Sequence, residues 1–203
     1  CVRGVTLDNG TEVDASSVLI AGTPDTAASL LGRPIANTRP IYAACLDVAL
    51  SRLPRPNARF ALGLDLPLYA SVHSATAKLA PAGGALIHVA QYGGLRGDTA
   101  AQVRERLETL LDSLQPGWRS VLQHARFLPN LTVSNALITA AQGGIAGRPS
   151  VQVNGVPGLY LAGDWVGSEG MLADASLASA RRAANAILQQ AAQPQAESLC
   201  LAQ

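Results

Sequence analysis

The 203 residues suffice for one sizeable core or two small domains, and 48% of them are hydrophobic while only 14% are charged. This balance excludes a disordered chain. A net charge of +1 without a Lys/Arg cluster, together with 4% aromatic residues, argues against nucleic acid as a partner.

No apolar run is long enough to cross a bilayer, so no transmembrane segment is expected; peripheral membrane contact stays open. The cysteines Cys1, Cys45 and Cys200 lie far apart, with no Cys-x-x-Cys and no zinc-ligand spacing. We therefore expect no metal site, and the pattern favours a reducing cytoplasmic location over a disulfide framework.

The first forty residues predict a hairpin, a strand and a short helix. Residues 2–7 and 11–13 alternate around Asn9-Gly10, which is a strong hairpin signal. A buried strand follows at 18–21, and a helix at 25–31 is expected to be capped by Thr23 or Asp25 and stopped by Gly32.

The middle of the chain predicts a mixed or antiparallel sheet covered by one helix. Strand-like runs lie at residues 42–50, 60–64, 68–74 and 85–91, separated by Pro- and Gly-containing turns. An amphipathic helix follows Asp98 or Thr99 and ends near residues 115–117. One face of this sheet could form the wall of a substrate cavity.

The same region contains few candidates for chemistry. The glycines of residues 93–97 follow a strand, but their spacing does not fit a phosphate-binding loop. His73 and His88 lie on neighbouring predicted strands and could share a face, while His124 and Lys78 show no catalytic pattern. No catalytic residue is therefore assigned from the sequence.

The most informative stretch comes late in the chain. Residues 159–162 read as a buried strand, followed by Gly163 and Asp164, a glycine-rich turn, and a helix that starts near Met171 or Leu172 and runs to about 190. Ligands bind at the carboxyl ends of strands in open α/β sheets, and a helix N-terminus there attracts negative charge. Residues 191–203 read as a tail.

This stretch resembles the C-terminal FAD signature of the amine oxidase and phytoene desaturase class of flavoproteins. The resemblance is carried by residues 158–164, by Gly167 and Gly170, and by the small residues of the following helix, namely Ala175, Ser179, Ala183 and Ala184. It implies that Asp164 bonds a ribityl hydroxyl of FAD and that the Met171 and Leu172 amides face the flavin. The cofactor-binding residues that it implies are Gly163, Asp164, Trp165, Gly170, Met171 and Leu172.

Residues 2–24 resemble the segment of the same class that follows the adenine-binding region. The implied fold is α/β with a mixed sheet, the C-terminal portion of a two-domain FAD/NAD(P)-binding flavoprotein without its N-terminal phosphate-binding loop. We expect residues 1–31 and 150–190 to belong to the FAD-binding domain and 32–149 to a substrate-type domain. The N-terminal half of the same enzyme is the expected partner.

The resemblance implies an FAD-dependent oxidoreductase, of dehydrogenase, desaturase or oxidase type, that acts on an apolar or amine small molecule. By itself the chain is expected to be inactive and to bind FAD poorly. A noncatalytic binding or interaction module that keeps the fold without FAD is the alternative. A pyridine nucleotide-disulfide reductase is a third reading, and the absence of Cys-x-x-Cys argues against it.

Overall fold

The computed structural model describes residues 1–192, which form two compact units. The first unit comprises Cys1–Pro40 and the chain from Ser134 onward, and the second is the continuous segment Ile41–Val133. Each unit has its own hydrophobic core. Among the helices of residues 1–192, none combines the length and apolar character that crossing a membrane requires.

The first unit begins with the predicted hairpin. Strands β1 (Gly4–Thr6) and β2 (Glu12–Asp14) pair antiparallel, with Val5 opposite Val13. The Asn9 side chain accepts a 2.9 Å hydrogen bond from the Thr11 amide and so stabilises the turn.

A parallel strand pair lies at the centre of the first unit. Strand β3 (Val18–Ile20) pairs with β9 (Leu159–Leu161), although these strands are far apart in sequence. Helix α1 (Pro24–Leu31) follows β3, with Thr23 rather than Asp25 as its cap, and helix α3 (Ala173–Ala192) follows β9. The sequence therefore correctly predicted that each strand of this pair is followed by a turn and then by a helix.

The second unit is a five-stranded sheet in the order β5-β6-β7-β4-β8. Its strands are β4 (Ile41–Leu50), β5 (Phe60–Leu62), β6 (Leu68–Val72), β7 (Ala85–Tyr92) and β8 (Leu122–Ser134). Helix α2 (Ala100–Leu114) packs Val103, Leu107 and Leu111 against Leu46 and Ile87 on one face of the sheet. Thr99 and Gln102 form a capping box at its start, which identifies Thr99 as the cap.

The structure differs from the predicted elements most at β6 and β8, and β5 also ends at Leu62, two residues earlier than predicted. β6 ends at Val72 rather than Ser74 because residues His73–Ala75 turn into a short 3₁₀ helix. β8, at one edge of the sheet, was not predicted at all, and Pro129 lies within it. Proline cannot donate a ladder hydrogen bond and is therefore tolerated in a sheet mainly at an edge.

Candidate functional site

The candidate site lies at the carboxyl end of β9, where Gly163 and Asp164 follow the strand. A Cβ atom at Gly163 would lie 2.6 Å from Nε1 of Trp165, so the close approach that requires glycine here comes from this indole. Trp165 is fully buried and donates a 3.1 Å hydrogen bond from Nε1 to the carbonyl of Gly22. Its side chain therefore anchors β9 beside the end of β3 and leaves no exposed surface for a ligand.

The Asp164 carboxylate is held by the last residue of β8 and the residue that follows it. Its Oδ2 accepts hydrogen bonds from Ser134 Oγ at 3.0 Å and the Asn135 amide at 2.8 Å, and its Oδ1 accepts one from Asn135 Nδ2 at 2.9 Å. A carboxylate offers about four acceptor positions. Asp164 is half-buried, and Oδ1 therefore keeps capacity for one further donor.

Arg148 organises the turn that connects β9 to α3. Its side chain is buried, and its guanidinium donates to the carbonyls of Asp164 at 2.9 Å, Gly170 at 2.8 Å and Glu169 at 3.3 Å. Burial lowers the pKa of Arg148, and the nearby Asp164 charge partly offsets this effect. Arginine nevertheless stays protonated in proteins, so a positive charge lies within the turn.

The start of α3 presents its amides at the end of this turn. Gly170 has φ +67°, and a Cβ there would come within 2.8 Å of Asp174 Cβ, while Leu172 adopts φ +52°. Such a conformation is uncommon for a bulky residue and occurs preferentially at functional sites. Met171 and Leu172 are both more than half exposed, and in residues 1–192 their amides donate to no protein acceptor.

The predicted helix start is nearly correct. α3 begins at Ala173, so Met171 and Leu172 precede its first turn instead of lying within it. Their amides, which donate to no acceptor within residues 1–192, still belong to the positive end of the helix dipole.

A stripe of small residues places α3 close to β9. Ala175, Ala178 and Ala183 are buried on it. Ser179 Oγ accepts from the Gly163 amide at 3.0 Å and lies 3.0 Å from the carbonyl of Ser176. The serine thereby connects the helix to the backbone at the end of the strand.

Exposed ion pairs connect the turn to the surface of α3. Glu169 pairs with Arg181 at 3.1 Å and with Arg182 at 3.0 Å, all three being exposed. Open clefts of about 440 Å³ beside Gly170 and about 480 Å³ beside Arg148 flank this region. Exposed ion pairs contribute little stability, so Arg148 and not this cluster determines the shape of the turn.

The sequence missed three residues that build the site, Ser134, Asn135 and Arg148. These residues bond to the Asp164 carboxylate, which is distant in sequence, or to backbone carbonyls. Such contacts produce no recognisable spacing of residue types in the sequence. Of the other candidates, Lys78 is exposed in a loop, whereas His73 and His88 do share a face, with ring centroids 5.2 Å apart.

The comparisons with known proteins give a fold and no family. No protein-family model matches the chain, and no curated protein sequence matches it significantly. An oxidoreductase structure from Methanosarcina mazei superposes with a TM-score of 0.60 at 14% identity, over 87% of this chain and 44% of its own length. A putative protoporphyrinogen oxidase from Exiguobacterium sp. 255-15 does so with 0.60 at 13% identity, over 90% and 43%.

This chain therefore spans less than half the length of both structures. Identities this low show a shared fold alone. The coarse prediction is confirmed at that level: the chain is mixed α/β, and its fold matches part of two oxidoreductase structures.

Proposed function

We propose that this chain is the C-terminal part of an FAD-dependent oxidoreductase and that its first unit binds the flavin end of the cofactor. The observation that carries the proposal is the single turn in which Arg148 joins the carbonyl of Asp164 to that of Gly170, three residues before α3 begins. This turn places a carboxylate with spare acceptor capacity and a positive helix end at the tip of one parallel strand. The fold shared with part of two oxidoreductases supports the same proposal.

The residues at this turn fit FAD in their hydrogen-bonding character. Asp164 Oδ1 would accept from a ribityl hydroxyl, and the amides of Met171 and Leu172, which have no acceptor within residues 1–192, would donate to oxygen or nitrogen of the flavin ring. When bound, FAD supplies hydride-transfer chemistry. The helix end and the buried charge of Arg148 would favour negative charge on a group bound there.

The proposal extends to the substrate, the role of the second unit, the missing half of the enzyme and its location. The substrate is an apolar or amine small molecule, and the second unit forms most of the substrate-type domain. The N-terminal half of the enzyme supplies the phosphate-binding loop, and the enzyme acts in the cytoplasm.

An absorption spectrum of the intact protein tests the proposal. We expect a flavin band, and we expect Asp164→Ala to weaken FAD retention by about 1–3 kcal/mol through the lost acceptor. Asp65→Asn, at an exposed carboxylate outside the site, serves as the control and should leave retention unchanged. A colourless protein that ignores added FAD would favour the noncatalytic module instead, and full retention in Asp164→Ala would remove Asp164 from the site.

A further inference from the structure

A second cluster of functional side chains lies on the sheet of the second unit. Strand register places Phe60, Ser71, His88 and Asp47 side by side across β5, β6, β7 and β4. Cross-strand partners share a face, and neighbouring residues along a strand point to opposite faces. Since Leu46 and Ile87 face α2, this row lies on the opposite face of the sheet.

Asp47 orients the ring of His88. Asp47 Oδ1 lies 2.5 Å from His88 Nδ1, which assigns the proton of the neutral ring to Nδ1 and leaves a lone pair on Nε2. Within residues 1–192 no other side chain bonds this ring. The His88 side chain is 26% exposed, so part of the side chain is open to solvent.

His73 covers one side of this ring. Its imidazole stacks on His88 with an interplanar angle of 23°. Burial lowers the pKa of His73, and the proximity of His88 lowers it further, against a smaller opposing effect of Asp47. Because the two rings stack and do not converge, the three residues are not arranged as ligands of one metal ion.

Aromatic side chains continue the same face. The centroid of the Tyr69 ring lies 6.2 Å from that of His88, 5.6 Å from that of Phe60 and 6.5 Å from that of Tyr92, and the contact with Phe60 is edge-on. Phe60 is 60% exposed and Tyr92 45% exposed. Aromatic rings arranged in this way offer stacking and edge contacts to a flat apolar ligand, and the polar groups beside them can fix its orientation.

We propose that this face binds a planar, conjugated small molecule and that His88 Nε2 accepts the hydrogen of an N–H or O–H group on it. The aromatic rings contribute apolar contact, and Asp47 keeps the imidazole in the accepting tautomer. If the group is acidic enough, its N–H or O–H bond breaks and the electron pair stays on the ligand heteroatom. The proton then resides on Nε2, and Nδ1 of the resulting imidazolium keeps its hydrogen bond to Asp47 Oδ1.

Two naphthalene probes that differ in one group test the proposal. 2-Naphthol carries a hydroxyl donor, and 2-methoxynaphthalene replaces its hydrogen with a methyl group. In fluorescence titrations of the full chain we expect 2-naphthol to bind more tightly by roughly tenfold, as one added hydrogen bond provides. His88→Phe keeps a flat ring but removes the acceptor, and it should abolish this preference; Asp47→Asn should reduce it.

Two further variants separate the acceptor from the apolar face. Phe60→Ser, at an exposed position, should weaken both probes equally, and Leu30→Ser, at an exposed apolar position of α1, should change neither. Equal affinity of the two probes for the unmodified chain, or a preference that survives in His88→Phe, would overturn the proposal. If His88→Phe does not fold, the other two variants test the proposal. It is overturned if Asp47→Asn keeps the full preference for 2-naphthol, or if Phe60→Ser binds both probes as tightly as the unmodified chain does.

This proposal does not depend on FAD. The cluster lies in the second unit, and the proposed flavin-binding turn lies in the first. A protein that binds no FAD but prefers 2-naphthol over 2-methoxynaphthalene would therefore refute only the proposed function. A protein that binds FAD but shows no such preference would refute only this inference.

Discussion

Arg148 shows how one buried cation can determine the shape of a binding turn. Its three shortest hydrogen bonds are to backbone carbonyls, two of them those of the consecutive residues Glu169 and Gly170 in the turn before α3. A planar guanidinium can donate to several carbonyls at once, whereas the lysine ammonium is a compact charge on a flexible stem. The turn should therefore need arginine specifically and not merely a positive charge.

We expect Arg148→Lys to lower the free energy of unfolding by about 1–3 kcal/mol, because at least one carbonyl next to the buried Arg148 side chain loses its donor. Urea denaturation measures this loss, and faster hydrogen exchange at residues 165–171 would locate it. Arg181→Lys, at an exposed ion pair with Glu169, should cost less than about 1 kcal/mol. Equal losses in the two variants would show that Arg148 has no special structural role.

His73 gives the second unit a pH dependence of defined sign. Its pKa in the folded chain lies below the ordinary value, chiefly through burial and then through His88, so the unfolded chain binds the proton more readily. The unfolded state therefore holds more protons as the pH falls through about 6.5, and stability declines there. Asp47 also faces His73 and opposes the shift without cancelling it.

Comparison of unfolding free energies at about pH 7.5 and about pH 5.5 tests this sign. The loss on acidification should be smaller in His73→Phe than in the unmodified chain, because the variant lacks the titrating group. An identical loss in both proteins would mean that His73 is not the source.

At the scale of elements, one buried hydroxyl joins α3 to the backbone at the end of β9. Ser179 is almost wholly buried, and its Oγ is the acceptor for the Gly163 amide. Ser176 lies one turn earlier, and its hydroxyl donates only to Leu172 of its own helix turn. The two serines therefore form a matched pair, one joining two elements and the other local.

We expect Ser179→Ala to destabilise the chain by about 1–3 kcal/mol, because the Gly163 amide loses its acceptor next to buried groups. Ser176→Ala should be close to neutral, since alanine is the better helix former. Thermal or urea unfolding distinguishes them, and similar effects of the two substitutions would contradict the role assigned to Ser179.

The elements that the sequence predicted well carry local signals. Asn9-Gly10 specifies the first hairpin, Thr99 and the spacing of Leu107 and Leu111 specify α2, and Gly163-Asp164 marks the end of β9. β8 lacked such a signal, because Pro129 interrupts a strand that lies at an edge of the sheet. Its stability comes from pairing with β4, a distant segment that the sequence of β8 alone does not reveal.

The candidate site was predicted only in part for a related reason. Asp164 and the helix start were found because they adjoin one another in sequence, whereas Asn135 and Arg148 reach them from other segments. Trp165 was assigned to cofactor binding from its position beside Asp164, yet its side chain is fully buried. Proximity in sequence cannot distinguish a side chain that faces a ligand from one that anchors the strand.

The whole molecule combines a continuous unit with a discontinuous one. Ile41–Val133 contains all strands of the helix-covered sheet up to the last residue of β8, together with that sheet's core. The first unit needs both ends of the chain, since β3 pairs with β9. A continuous segment with its own core can in principle fold independently.

We therefore expect an Ile41–Val133 fragment to unfold cooperatively in urea and to show β-sheet circular dichroism. Residues 1–40 alone should show no cooperative transition, because β3 then lacks its partner. An unfolded 41–133 fragment would contradict this view, and so would a cooperatively folded 1–40 peptide.

The separation between β3 and β9 has a consequence for synthesis on the ribosome. At about 5–20 residues per second, β9 emerges on the order of ten seconds after β3. The nascent chain must therefore expose the bonding edge of β3 throughout this interval, while Ile41–Val133 has time to acquire its structure. Translational pausing before residue 159 should prolong that exposure and increase capture by chaperones that bind extended apolar segments.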